Sequence, residues 1–570
     1  MRTDLARVTH AIIGHDLRRH LGRWHFRLAV VALAVLVHLL WIAPEDGATM
    51  LRVGSASAAP NSAMLALAYG SELPLWIGLF GFIVVRGQVR QDWTSGLGAI
   101  VAALPVGNLG LLFGRWLAAV LAVSMLSLAS LAAVLVLHSR QLNWQQVPAE
   151  AAAYLQAWCW LGTPAILFAA SMAVLCDAWA ALIGRLGDLL FFALWFMSAF
   201  AMEPFWRGAA AASNPLLLLD FAGHYSAAVQ LTQLFGTVDI SLGGRSSVEP
   251  GLAFVQLPDT FWTMALIQQR ALCALLALIP LVLAASVFHR YSNDRLRGSG
   301  NFMAAERDGP GVMTRLGAAR AVPWQRLLAA FGQFNAPLDL LNRLLTPLLR
   351  LVRPLFGLAS RLSTSSGLAG QVVAEMALTL AVSPAIMLLL PACWLLGLTA
   401  FGGTGDESAP GGGGPLLICL VLWGCAISTV STREHEDGWS PLSACAPGGT
   451  WRRHWRQLLA ALLFGVAFSA TFLLARLLRD PVAALALLAV LTAVAAAATL
   501  LGRLAGVPRP FLFLLLLGAL ILDRLSELPA LDWLGSRHPV STAMLVTELA
   551  VAAGLAMAGY FIQLAVRHRT

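Results

Sequence analysis

Long apolar runs alternate along this chain with short stretches that hold nearly all of its charge. A helix needs about 20 apolar residues to cross a hydrocarbon layer. Runs of that order fall near 27–43, 68–85, 112–137, 157–182, 188–206 and 263–288, and again near 374–400, 415–432, 457–475, 481–502, 510–523 and 543–566. About twelve such runs predict an all-α polytopic membrane protein, with 510–523 short for a full span.

Composition agrees with that pattern. The 570 residues are 58% hydrophobic and 12% charged, and mean hydropathy is +0.75. A soluble domain carries roughly a quarter charged residues, so this much apolar surface needs the bilayer as its solvent. The net charge of +9 sits in arginines at the ends of apolar runs, as membrane insertion dictates, which argues against nucleic-acid binding. Every one of the 38 Lys and Arg positions is arginine. Without lysine the chain can form neither a Walker A phosphate loop nor a Schiff base. Its seven cysteines (Cys159, Cys176, Cys273, Cys393, Cys419, Cys425, Cys445) lack CxxC spacing and read as packing residues.

Arginine counts orient the chain. The N-terminal stretch holds Arg2, Arg7, Arg18, Arg19, Arg23 and Arg27, and 289–370 is rich in arginine, whereas 44–67 carries only Arg52 and 207–262 only Arg207 and Arg245. The first two segments are therefore expected in the cytosol of a bacterial cell, with both termini there and the spans in its inner membrane. The expected organisation is a cytosolic amphipathic segment at 1–26, a six-span unit at 27–288, an interfacial linker at 289–370 and a second six-span unit at 371–570. Apolar stretches inside 207–262, such as Pro215 to Leu219, suggest either re-entrant or surface-lying helices or a folded cap on the outer side.

The two halves repeat one grammar. After its second span the first half reads Arg90-Gln91-Asp92-Trp93-Thr94-Ser95-Gly96, then Pro105-Val106-Gly107, then Gly114-Arg115-Trp116 leading into the third. The second half reads Arg433-Glu434-His435-Glu436-Asp437-Gly438-Trp439, then Pro447-Gly448-Gly449, then Trp455-Arg456-Gln457. Ahead of each first span, Gly14-His15-Asp16-Leu17 answers Val373-Ala374-Glu375-Met376.

In these loops the chain resembles the type-2 family of ATP-binding-cassette (ABC) export permeases, which have six spans per unit, an amphipathic helix before the first, and a cytosolic coupling helix between the second and third. The family's coupling region typically reads Glu-Arg-x-x-Gly followed by a Pro-containing turn. Here Asp92 replaces the glutamate in the first half, and Glu434, Glu436 and Asp437 crowd the second. The resemblance implies a fold of two six-helix repeats and a separate cassette ATPase, in two copies, docking on Arg90, Asp92, Gly96, Pro105, Gly107 and Arg115 and on Arg433, Glu434, Glu436, Gly438, Pro447 and Arg456. It also implies Mg-ATP on that partner, no cofactor on this chain, contact with membrane lipid, and room for a periplasmic accessory protein.

Other chemistry finds little support in the residues. Ionisable groups within spans are costly and therefore candidates. His38, Glu203 and Glu548 lie near span ends, and Asp177, toward the inner end of the fourth span, is the intramembrane polar site to watch. No HExxH pair occurs. The expected role is a transport subunit without its own ATPase site; an ion-coupled secondary transporter and a non-catalytic membrane scaffold are the alternatives.

Overall fold

The structure is a computed structural model that describes residues 2–41, 48–59, 61–88, 92, 107–141, 150–179, 182, 185–200, 214–247, 254–257, 261–288, 354, 357, 361, 367–382, 386–398, 413–433, 449–505, 508–525 and 540–567. The chain divides into two compact units, Met1–Gln333 and Phe334–Thr570. The boundary falls inside the 289–370 segment. Six described helices are long and apolar enough to cross a membrane, or up to eight if each of two bent pairs is one span.

The first unit opens with α1 (Arg2–Gly22) and α2 (Trp24–Leu40), which meet at a 63° bend. Arg23 is extended there, with φ −72° and ψ 139°. On α2 the residues Ala29, Ala32, Leu33, Leu36, Val37 and Leu40 recur at helical spacing and are buried, while Val31 and Val35 remain exposed on another face. α3 (Ser62–Val85) starts where the Asn61 side chain accepts a hydrogen bond from the Met64 amide at 2.9 Å. Its apolar window is 94% buried, against 28% for α8 (Met264–Val287). α3 is thus enclosed by protein and α8 is peripheral. Three glycines make the enclosure close: a Cβ on Gly70, Gly78 or Gly81 would collide with Ala157, Trp195 or Val123. α4 (Asn108–Gln141), α5 (Ala151–Ala178) and α6 (Arg185–Phe200) pack around it.

A small sheet departs from the all-α expectation. Strands β1 (Ala48–Val53), β2 (Ala56–Ala58), β3 (Ile240–Ser247) and β4 (Phe254–Val255) run in the order β3-β1-β2-β4. β1 pairs antiparallel with β3, with Arg52 opposite Ser241, and β2 pairs parallel with β4. Two loops far apart in sequence therefore form one cap at this end of the helices, here called the sheet end. Arg52 and Asp239 add an ion pair at 2.8 Å.

From the cap the chain turns back among the helices. A 3₁₀ turn (Pro215–Leu219) leads to residues 220–223 and then to α7 (His224–Phe235). Gly223, at φ +82°, sits where a Cβ would press on Leu161 and Arg270, and Leu161 lies ten residues into α5. At 1.5 Å per residue that is roughly 15 Å from the start of α5, so residues 215–235 pack against α5 well along its length as well as against the sheet. At its tip α5 makes a π turn, Trp158–Gly162. Arg270, 1% exposed, fills that site. Its guanidinium donates to the carbonyls of Trp160 (3.1 Å), Leu161 (3.0 Å), Asp220 (2.5 Å) and Phe221 (3.3 Å). The Asp220 carboxylate, 3.9 Å from Arg270, accepts from the amides of Gly223 and Ser226 at 2.9 and 2.7 Å and caps α7. A buried irregular turn needs partners for its carbonyls, and Arg270 supplies them.

The second unit begins with α9 (Leu368–Val382) and α10 (Ile386–Leu398), so the run expected as one span at 374–400 is two helices. α11 (Gly413–Ile427) follows. The run expected at 457–475 is also divided: α12 (Gly449–Phe468) ends at Ser469, and α13 (Ala470–Arg479) leaves at 71°. The Ser469 hydroxyl donates to the Gly465 carbonyl at 2.7 Å, a local bond that competes with the helix ladder. α13 exposes Leu474, Leu477 and Leu478 and carries Arg476 and Arg479 in its last turn, the composition of a helix lying at an interface. α14 (Pro481–Ala505), α15 (Arg509–Leu525) and α16 (Thr542–Arg567) complete the unit.

Candidate functional site

The end of the first unit away from the sheet carries a connected set of ionic groups. α3 ends at Arg86, whose backbone turns extended and is followed by Gly87 at φ +84°. That turn aims the Gly87 and Gln88 amides at Asp177 on α5, at 3.0 and 2.7 Å. The Arg86 side chain reaches Asp177 at 2.5 Å, Asp188 on α6 at 2.8 Å and the Leu182 carbonyl at 2.6 Å. Gly187 leaves room for this, since a Cβ there would strike the Leu182 carbonyl and the guanidinium. Burial alone would lower the Arg86 pKa; Asp188 and Asp177 outweigh it and hold the group above its ordinary value. Arg86 ties the ends of three helices together in its charged form.

Asp92 occupies a second node. It is 6% exposed and accepts from Arg19 on α1 at 2.6 Å and from Arg115 on α4 at 2.5 Å. Arg115 also faces Asp16 on α1 at 4.0 Å, and His20 of α1 contacts Gln88. The carboxylate of Asp92 thus turns inward onto its own chain, and what it organises is the joint of α1 and α4. Arg115, 6% exposed, belongs to this joint.

In the second unit Glu375 on α9 stands between Arg433, at 3.5 Å, and Arg456 on α12, at 3.2 Å. Arg433 also donates to the Thr379 hydroxyl at 3.2 Å. The correspondence with the first unit is specific. Asp16 and Glu375, and Arg115 and Arg456, are the pairs that the repeated segments place in register, and in each unit the helical acid faces an arginine about two turns into the later helix. A further arginine, Arg503 on α14, meets His454 at 2.5 Å, Gln457 at 2.8 Å and the Gly559 carbonyl at 3.2 Å.

Of the residues singled out from the sequence, the structure brings together Asp92 with Arg115, Arg433 with Arg456 through Glu375, and Asp177 with Arg86. Gly107 is exposed and lies just before α4. Arg90, Gly96, Pro105, Glu434, Glu436, Gly438 and Pro447 lie outside the described residues. Sequence reasoning missed Arg86, Asp188, Arg270 and Asp220, and passed over Glu72. That acid is 3% exposed on α3, accepts from the Trp76 indole at 3.3 Å and lies 3.9 Å from His224 at the start of α7. Its position inside a predicted span was signal enough to find it. Among the described residues, no three His, Cys, Asp or Glu side chains are grouped so as to hold a metal ion. No family model matches the chain, and no curated protein is similar to it.

Proposed function

We propose that this chain is the membrane-spanning permease subunit of an ATP-binding-cassette exporter, built as two six-span repeats of about twelve spans and energised by separate ATPase subunits that carry the Mg-ATP. In this reading it lies in a bacterial inner membrane with both termini in the cytosol. The observation that carries the reading is the repeated joint, Asp16 with Arg115 in one unit and Glu375 with Arg456 in the other. In each, an acid on the helix ahead of the first span is paired with an arginine about two turns into the helix that follows the proposed coupling loop. A push on that loop then moves several helices as one body, because buried ion pairs resist separation. In the first unit Arg86 extends the same connection to α5 and α6. No covalent step falls to this chain.

The test is to purify the tagged protein in mild detergent and identify what accompanies it. A cassette ATPase is expected, with Mg-ATP turnover reduced when Arg115 and Arg456 are both changed to glutamine while the complex remains assembled. Isolation of the chain without any ATPase under several gentle conditions would reject the reading. A second reading, an ion-coupled secondary transporter, draws on Glu72 and His224. It predicts that transport into vesicles lacking ATP follows an imposed ion gradient and is lost in Glu72→Gln.

A further inference from the structure

The second unit holds two thiols that meet. Cys393 on α10 and Cys419 on α11 stand 26 residues apart in sequence, a spacing that no CxxC pattern reveals. The Cys419 thiol donates to the Cys393 carbonyl at 3.8 Å, and the two side chains hydrogen-bond each other. Both are free cysteines, 0% and 1% exposed. Cys393 lies five residues before the end of α10 and Cys419 six residues after the start of α11, so each sits roughly 8 Å from the helix ends that residues 399–412 join. A bond between the sulfurs would link the two helices at one level. Sulfurs in contact need to close to about 2 Å for that bond, a movement that side-chain rotation supplies.

The surroundings select the reagent. Neither α10 nor α11 carries Asp, Glu, His, Lys or Arg, so nothing on these two helices attracts a charged one. The thiols are closed to water, yet the neighbouring positions Ala392, Trp394 and Ile418 are exposed. Pro391, two residues before Cys393, takes one bond out of the α10 ladder. An oxidant that reaches the pair must be uncharged and soluble in hydrocarbon, as alkyl hydroperoxides are. We propose that Cys393 and Cys419 are a dithiol that an alkyl hydroperoxide from the lipid phase converts to a disulfide, linking α10 to α11. One sulfur attacks the distal oxygen of the hydroperoxide, the O–O bond breaks, and the alcohol leaves with the thiol proton, giving a sulfenic acid. The second sulfur then displaces that oxygen; the S–S bond forms, and the oxygen departs with the second thiol proton as water. α10 also holds the bend between α12 and α13, because the Trp394 indole donates to the Ala467 carbonyl at 2.7 Å and a Cβ on Gly397 would collide with Thr471. The disulfide ties α11 to that bend through α10. It requires no ATPase.

The test uses the full chain in detergent, reduced with dithiothreitol, freed of it, and then exposed to cumene hydroperoxide. Remaining thiols are alkylated under denaturing conditions and the peptides are read by mass spectrometry. The expected product is a peptide pair joined through Cys393 and Cys419, lighter by two hydrogen atoms and returned to free thiols by dithiothreitol. Folded protein should give it in at least about tenfold excess over protein unfolded in dodecyl sulfate before oxidation, because folding holds the thiols together. Cys159→Ser, at an exposed cysteine of the first unit, should leave its yield unchanged, and Cys393→Ser should abolish every link to Cys419. Full alkylation of both thiols after oxidation, a sulfinic acid at either one without the link, equal yields from folded and unfolded protein, or transfer of Cys419 to another cysteine in Cys393→Ser would each overturn the proposal.

Discussion

Arg86 and Asp177 offer a double-mutant cycle whose outcome follows from geometry. The two side chains are 5% and 7% exposed, and Asp188, the other carboxylate on Arg86, is 36% exposed. Changing Arg86 to Met keeps much of the apolar stem and removes the charge, leaving Asp177 buried with its bonds from the Gly87 and Gln88 amides but without this cation. Stranding one member of a buried pair costs about 3–5 kcal/mol. Asp177→Asn leaves Arg86 its bonds to Asp188 and Leu182, and should cost about 1–3 kcal/mol. The combined variant removes both charges and should be less destabilised than the sum of the two by at least about 1 kcal/mol, within the usual range for directly contacting pairs. The assay is unfolding of the detergent-solubilised protein followed by tryptophan fluorescence, with all four proteins in the same lipid and detergent. Strict additivity of the two substitutions would refute the claim that Arg86 and Asp177 form one buried ion pair.

Other substitutions test other parts of the structure. Arg270→Lys cannot serve carbonyls of α5 and of residues 220–221 at once, so the 220–226 turn should loosen; Cys273, buried and 3.5 Å from the Asp220 carbonyl, should change from unreactive toward a membrane-permeant maleimide to labelled, and continued protection would count against the latch. Gly78→Ala places a methyl group against the Trp195 indole and should cost about 1–3 kcal/mol in overpacking, read as a lowered unfolding midpoint, whereas Gly518→Ala, with open space at its Cβ, should not lower it. Replacing both Leu477 and Leu478 of α13 with Glu should weaken membrane retention of that helix, seen as greater proteolysis near Arg479 in inside-out or right-side-out vesicles; unchanged proteolysis in both would show that α13 does not lie on lipid.

Much of this architecture was legible because the bilayer imposes a strong length rule. The runs at 68–85, 112–137, 481–502 and 543–566 all lie within observed helices, Ser62–Val85, Asn108–Gln141, Pro481–Ala505 and Thr542–Arg567. Hydropathy could not show where a run breaks, since Ser469 turns the backbone without changing the average. It was equally blind to the sheet, whose strands are short and drawn from loops separated by more than 180 residues. The site was half legible. Asp16, Glu375, Arg115 and Arg456 stood out by repetition, and they meet. Arg86 and Arg270 did not, because an arginine at the end of an apolar run reads as an ordinary span terminus, and one inside a run says nothing of the carbonyls it serves.

The central claim is that the surface beside the first joint receives an ATP-hydrolysing partner. A photo-crosslinking residue at Gly107, exposed next to α4, and another at Val238, 54% exposed at the sheet end, test it in native membranes. The account predicts that position 107 captures a nucleotide-hydrolysing chain, that its yield changes when Mg-ATP is added, and that position 238 captures none. Absence of any such chain from position 107, or equal capture from both positions, would contradict the account.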